Sequence, residues 1–124
     1  MATWNEFESG VLANTLTKIG DGQYVITINV AEGQGYPVII FKGLGGGDTW
    51  ADCISAIGNV PDEKLNELLR FAIQYNCGAL VKAEDNYCVR YSFSLVDWSM
   101  DAFAAVMVEV AKAAAALKSQ FCPE

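Results

Sequence analysis

The segment from Gly78 to Leu95 constrains the fold of this chain more than any other. It reads as two short strands joined at Glu84-Asp85-Asn86, and a long apolar segment follows it. Residues 87–95 alternate cleanly, with large apolar side chains on one face and small or polar side chains on the other. That period of two is typical of a strand with one covered face. A β-hairpin followed by a helix is therefore expected in the last third of the chain.

Apolar spacing predicts the other elements. A capping-box pattern at Thr3-Trp4-Asn5-Glu6 begins a helix that is expected to run to Ile19 and to end at Gly20-Asp21-Gly22. Strands are expected at 23–30 and 36–42, a second helix from Pro61 to the stop at Gly78, and a last helix from the N-cap Ser99 to about Gln120.

Residues 50–57 fit both a helical and a strand pattern. We predict a strand, because a helix between Gly47 and Gly58 would have barely two turns. The expected order is α-β-β-β-α-β-β-α, an α+β fold in which a five-stranded antiparallel sheet carries its helices mainly on one face.

Length and charge limit the classes of function. The 124 residues predict one domain, 1–124. A net charge of -7 argues against binding to nucleic acid or to an anionic membrane surface. No apolar run approaches the roughly 20 residues of a transmembrane helix. The four cysteines include no C-x-x-C pair and no signal-peptide pattern precedes them, so we expect reduced thiols in a cytoplasmic protein, with Cys53 and Cys88 in the core.

Few residues suggest chemistry. The chain has no histidine, and its paired carboxylates lie at helix starts and turns, so we expect no catalytic residue, no metal and no cofactor. Arg90, the one charge inside the fifth strand, is expected on the solvent face. The loop Gly43–Gly47 lacks the Gly-Lys-Ser/Thr of a phosphate loop. A small-molecule or phosphate-ligand binder that uses this loop remains the alternative hypothesis.

Apolar and aromatic residues exceed what one small core needs, which favours a binding protein. We expect an exposed surface on the first helix, beside a free sheet edge, to bind a segment of another polypeptide; a partner with basic residues would suit the acidic chain. The candidate partner-binding residues are Trp4, Phe7 and Val11. The second helix is expected to form a homodimer interface; its candidates are Leu68, Phe71 and Tyr75. The last helix also carries a second apolar side, formed by Ala104, Val108, Ala111 and Ala115.

Four stretches carry a resemblance to a known family. They are Asp52-Cys-Ile-Ser-Ala-Ile-Gly-Asn-Val60, Leu65-Asn-Glu-Leu-Leu-Arg-Phe71, Gly78-Ala-Leu-Val81 and Tyr91-Ser-Phe-Ser-Leu95. With the order of elements, they make the chain resemble the type III secretion chaperone-like fold and, within it, the YbjN-like group. The resemblance implies a small acidic dimer that binds segments of another protein, without cofactor and without turnover. These are packing patterns, so they transfer no catalytic residue.

Overall fold

The fold is α+β, with helices packed on an antiparallel sheet. The computed structural model describes residues 3–43, 47–72, 79–96 and 99–122. Within these ranges the sheet has six strands in the order β1-β2-β3-β4-β6-β5. The strands are β1 Thr17–Gly20, β2 Gln23–Ala31, β3 Gln34–Lys42, β4 Trp50–Gly58, β5 Ala79–Ala83 and β6 Asn86–Ser94. The prediction of five strands is wrong by one, because β1 lies where the sequence predicts the end of the first helix.

The first helix is shorter than predicted. It consists of α1 Trp4–Phe7, a π-helical segment Glu8–Leu12 and α2 Ala13–Thr15, and the chain is extended at Leu16. Strand β1 then forms a hairpin with β2 through Asp21 and Gly22, where Gly22 has a φ of 70°. An Asp-Gly pair between two apolar segments is a strong hairpin signal, and it prevails over the helical spacing of the apolar residues.

The other predicted elements are confirmed within the described residues. The last part of the predicted second helix, residues 73–78, lies outside them. Residues 50–57 lie in β4, as predicted. A 3-10 turn at Asp62–Lys64 leads into α3, Leu65–Ala72. The last helix is α4, Met100–Phe121, and the Ser99 hydroxyl accepts a hydrogen bond from the Ala102 amide at 3.1 Å. The predicted capping box at Thr3 and Glu6 is also present.

One end of the sheet is held by side chains. The ladder between β3 and β4 stops at Ile39 and Ile54, close to Pro37, which has no amide hydrogen to donate. Two hydroxyls bridge the strands beyond that point. Ser55 Oγ donates to the Pro37 carbonyl at 2.7 Å, and the Tyr36 hydroxyl donates to the Ala56 carbonyl. These bonds fix the end of β3 against β4.

The core lies between the sheet and the helices. Helix α4 packs across β2, β3, β4 and β6. Phe7 packs edge-to-face on Phe93 and on Phe103, with ring centroids 6.1 and 5.5 Å away. These contacts place the first helix, the sheet and α4 in one cluster. Cys53 and Cys88 are buried, which confirms their predicted place.

Candidate functional site

The predicted binding surface on the first helix is wrong. Only 4% of Trp4, 0% of Phe7 and 5% of Val11 is exposed. Trp4 packs edge-to-face on Phe7 at 6.0 Å, and Phe7 in turn contacts the rings of β6 and α4. The three residues lie on the face of the helix that points into the core, so they form no exposed binding surface. Val11 nevertheless contributes to the wall of a groove described below.

The predicted dimer surface is corrected in part. Leu68 is fully buried, because α3 packs against α4. Phe71 is half-buried and packs edge-to-face on Phe121, with centroids 5.6 Å apart. Tyr75 lies outside the described residues. On the described part of α3, the large apolar side chain that is exposed is Leu69.

The glycine loop gives no added support to a phosphate site. Its middle, residues 44–46, lies outside the described ranges. Gly43 has a structural role: its amide donates to the Trp50 carbonyl at 3.0 Å, and an added Cβ would lie 2.9 Å from the Trp50 Cβ. Gly47 opens a 3-10 turn that leads into strand β4, whereas a phosphate loop leads into a helix.

Arg90 has a structural role that the sequence reading missed. Its Nη2 lies 2.6 Å from Asp52 Oδ2, and the Ser92 hydroxyl donates to the other carboxylate oxygen. The Asp52 side chain is buried despite its charge, and its strand neighbours Ala51 and Cys53 are buried too. The Asp52 carboxylate therefore already balances the charge of Arg90, which argues against a site for an anionic ligand there. The sequence signal that could have found this pair is one acid and one base inside two predicted strands, but that these strands are neighbours is seen only in the structure.

The outer edge of β2 is paired along only part of its length. Strand β1 pairs with residues 23–25 of β2, and its ladder ends where Thr17 faces Val25. Residues 26–29 and 31 pair with β3 on their inner side, and Val30 lies at a bulge in that ladder. No described segment pairs with residues 26–31 on the outer side. Alternate residues of a strand direct their amide and carbonyl groups to the same edge. These residues, 26–31, therefore have backbone donors and acceptors available for another strand, and we call them the half-edge.

An apolar groove lies beside the half-edge. It has a volume of about 280 Å³ between the end of the first helix, β2 and the start of α4. The residues that line it are Val11, Thr15, Leu16, Ile26, Ile28, Met100, Phe103, Ala104, Met107 and Val108. All but Thr15 are apolar, so the groove suits an apolar side chain. We call it the apolar groove.

A second cavity continues along α4. It has a volume of about 440 Å³ and is lined by the end of β2, the β2–β3 turn and the last turns of α4. Its polar side chains include Gln34, Tyr36, Lys118 and Ser119. Burial, and then the nearby Cys122 and Cys88 thiols, raise the pKa of Tyr36 to about 12, so its hydroxyl stays protonated and acts as a donor. We call it the polar cavity.

The sequence analysis identified the α4 side of this site but not the half-edge of β2. The predicted second apolar side of α4 is partly confirmed, since Ala104 and Val108 line the apolar groove and Ala115 lines the polar cavity, whereas Ala111 is buried. The half-edge was not predicted, because the first helix was expected to continue to Ile19 and strand β1 was therefore not recognised. The Asp21-Gly22 hairpin signal could have revealed it.

Three features of the described residues bear on other classes of function, namely metal-binding groups, membrane-spanning helices and thiol reactivity. Among them, no group of three or more Cys, Asp or Glu residues is arranged to hold a metal ion. No described helix is long and apolar enough to cross a membrane. Burial raises the pKa of the Cys88 thiol, which lowers its reactivity as a nucleophile.

The chain was compared with known proteins in three ways. No protein-family model matches it, and neither a curated protein nor a solved structure matches it.

Proposed function

We propose that this chain is a non-enzymatic module that binds an extended segment of another polypeptide by strand addition to β2. The observation that carries the proposal is the half-edge, directly beside the apolar groove. In strand addition, main-chain hydrogen bonds supply affinity and pockets for alternate side chains supply specificity. Both parts are available here within one site.

The geometry also sets the size of the ligand. A strand paired with residues 26–31 spans about six residues, and its side chains alternate between the two faces of the sheet. Those opposite Ile26 and Ile28 would enter the apolar groove, since both residues line it. Burying two aliphatic side chains contributes about 3–6 kcal/mol before the cost of association is subtracted. Even with the main-chain hydrogen bonds, we therefore expect weak binding of an isolated peptide, with a dissociation constant of about 1 mM.

Two adjacent alanines on α4 provide a matched test. Ala104 and Ala105 are both exposed, but only Ala104 lines the apolar groove. The probe is a fluorescein-labelled Thr-Ile-Thr-Ile-Thr-Ile peptide, measured by fluorescence anisotropy. We expect Ala104→Glu to abolish binding and Ala105→Glu to leave it unchanged, because only the first places a charge in the groove. Equal effects of the two substitutions would refute this site.

Backbone methylation of the peptide tests the strand pairing itself. Two peptides are compared, one N-methylated at its odd residues and the other at its even residues. In a strand only one set of amides faces β2, so one peptide should lose binding and the other should keep it. If both bind as well as the unmodified peptide, the segment is held by its side chains alone and strand addition is wrong.

The homodimer and the YbjN-like resemblance stay predictions. Leu68 is withdrawn as an interface residue because it is buried. Light scattering at micromolar concentration tests the dimer, since a monomer has a mass of 13.4 kDa. A cytoplasmic location also stays a prediction.

A further inference from the structure

We propose, on the basis of the proposed function, that the bound segment carries an acidic side chain opposite Val30, followed by apolar side chains opposite Ile28 and Ile26. The preferred ligand then reads acidic-x-apolar-x-apolar from its N-terminus. The proposal combines the direction of the added strand with the positions of the two cavities and of Lys118.

The direction follows from the sheet. Every described pair of neighbouring strands is antiparallel, and β1 already occupies part of the same edge of β2. A segment that continues the line of β1 also runs antiparallel to β2, the arrangement with the more stable ladder. Its first residues then lie near Val30 and its last residues near Ile26.

The cavities follow the same line. Ile26 and Ile28 line the apolar groove, and Val30, two residues further along the same strand, lines the polar cavity. Val30 lies at the bulge between Asn29 and Ala31, where strict alternation is interrupted. Both cavities are nevertheless lined by α4, so the three residues share the face of the sheet that α4 covers. Alternate side chains of an added strand therefore meet the apolar groove twice and the polar cavity once.

Charge distinguishes the polar cavity. The chain as a whole has 15 Asp and Glu residues and a net charge of -7, which favours a basic partner, but the polar cavity differs from this average. Among the described residues that line the two cavities there is no Asp or Glu, and Lys118 is the only one with a formal charge. Within the described part of the chain Lys118 makes no ion pair. A lysine in the last turn of a helix also interacts favourably with the helix dipole, but that interaction does not distinguish an acidic ligand from a basic one.

Lys118 has a matched control in Lys112. Both lie on α4, but Lys112 lines neither cavity. Neutralising either lysine changes the net charge by the same amount, so the long-range repulsion of an acidic ligand changes equally. A local contact is lost only with Lys118, because charges are screened beyond about 8 Å at physiological salt. The difference between the two variants therefore reports the local contact.

The test uses three labelled peptides, Thr-Asp-Thr-Ile-Thr-Ile, Thr-Lys-Thr-Ile-Thr-Ile and Thr-Ile-Thr-Ile-Thr-Asp, and anisotropy at low and physiological salt. We expect Lys118→Gln to weaken the first peptide about 2- to 5-fold, the range of a solvent-exposed ion pair, and Lys112→Gln to leave it unchanged. Lys118→Glu should shift the preference towards the second peptide. The third peptide places its acid at the wrong end and should show no dependence on Lys118.

The other outcomes are distinguishable. If Ala104→Glu weakens the binding of all three peptides but the Lys118 substitutions change none of them, the proposed function stands and this inference is overturned. If none binds at millimolar concentration, both are overturned. Light scattering of the same samples checks for a second copy of the chain: a dimer that Ala104→Glu dissociates and Ala105→Glu does not would place that copy in the groove, against this inference.

Discussion

Removing Arg90 should destabilise the protein more than removing Asp52, although the two share one ion pair. The reason is the difference in exposure: 1% for the Asp52 side chain and 35% for the Arg90 side chain. A carboxylate without Arg90 would stay buried, with the Ser92 hydroxyl as its remaining side-chain donor. A guanidinium without Asp52 would still reach water. An isolated buried charge costs more than an isolated charge that water can solvate.

The magnitudes follow from these exposures. Breaking a buried ion pair by removing one partner costs about 3–5 kcal/mol. Arg90→Met should lie at the low end, about 3 kcal/mol, because Arg90 Nε is buried with no hydrogen-bond partner among the described residues and its removal relieves that cost. Asp52→Asn keeps the shape of the side chain and leaves a solvated cation, so we expect about 1–2 kcal/mol.

Urea unfolding followed by tryptophan fluorescence measures both values, since the chain has three tryptophans. The slope of the free energy against urea concentration should stay constant, so that shifts in the midpoint report stability alone. The double variant Asp52→Asn/Arg90→Met should cost less than the sum of the single variants, because they act on one interaction. An Asp52→Asn cost equal to or above that of Arg90→Met, or strictly additive effects, would show that the buried carboxylate does not determine the energetics.

Three further predictions concern the core and the ionisable side chains. Phe7→Ala should cost about 3–5 kcal/mol of stability and lower Tm by roughly 10–20 °C in calorimetry, because Phe7 is fully buried in the aromatic cluster. A Tm within about 2–3 °C of the parent, on the order of the shift from 0.5 kcal/mol, would show that Phe7 is not a core residue. Tyr36 has a folded pKa of about 12, so the stability that its protonated form contributes should be complete below about pH 10 and lost as the pH rises to 12. After allowance for solvent screening, this contribution is about 1–2 kcal/mol. Urea unfolding at matched pH should show that Tyr36→Phe abolishes this pH dependence. Cys122, which is half-buried, should react with iodoacetamide in the folded protein well before Cys53 and Cys88, as peptide mass spectrometry can show; faster labelling of either buried thiol would contradict the core assignment.

Local signals in the sequence determined much of the fold. The capping box at Thr3 and the N-cap Ser99 mark helix starts that the structure confirms, because capping depends on hydrogen bonds over three or four residues. The alternation in β6 likewise identified a strand with one covered face. The short distance from Gly47 to Gly58 correctly favoured a strand at β4, since too few residues remain there for a stable helix.

The tertiary structure decided which apolar residues are buried and which edges stay open. Trp4, Phe7 and Val11 have the same spacing whether their helix turns them towards the sheet or towards solvent, so periodicity alone was unable to place them. Arg90 is expected from the sequence on the solvent face, and only the structure shows the buried Asp52 beside it on the neighbouring strand. The half-edge exists only because β1 is shorter than β2, and its neighbouring groove requires α4 to pack beside it. The burial, the ion pair and the groove depend on pairing and packing between segments far apart in sequence, which local patterns do not encode, whereas the hairpin that leaves the half-edge open has the local signal Asp21-Gly22.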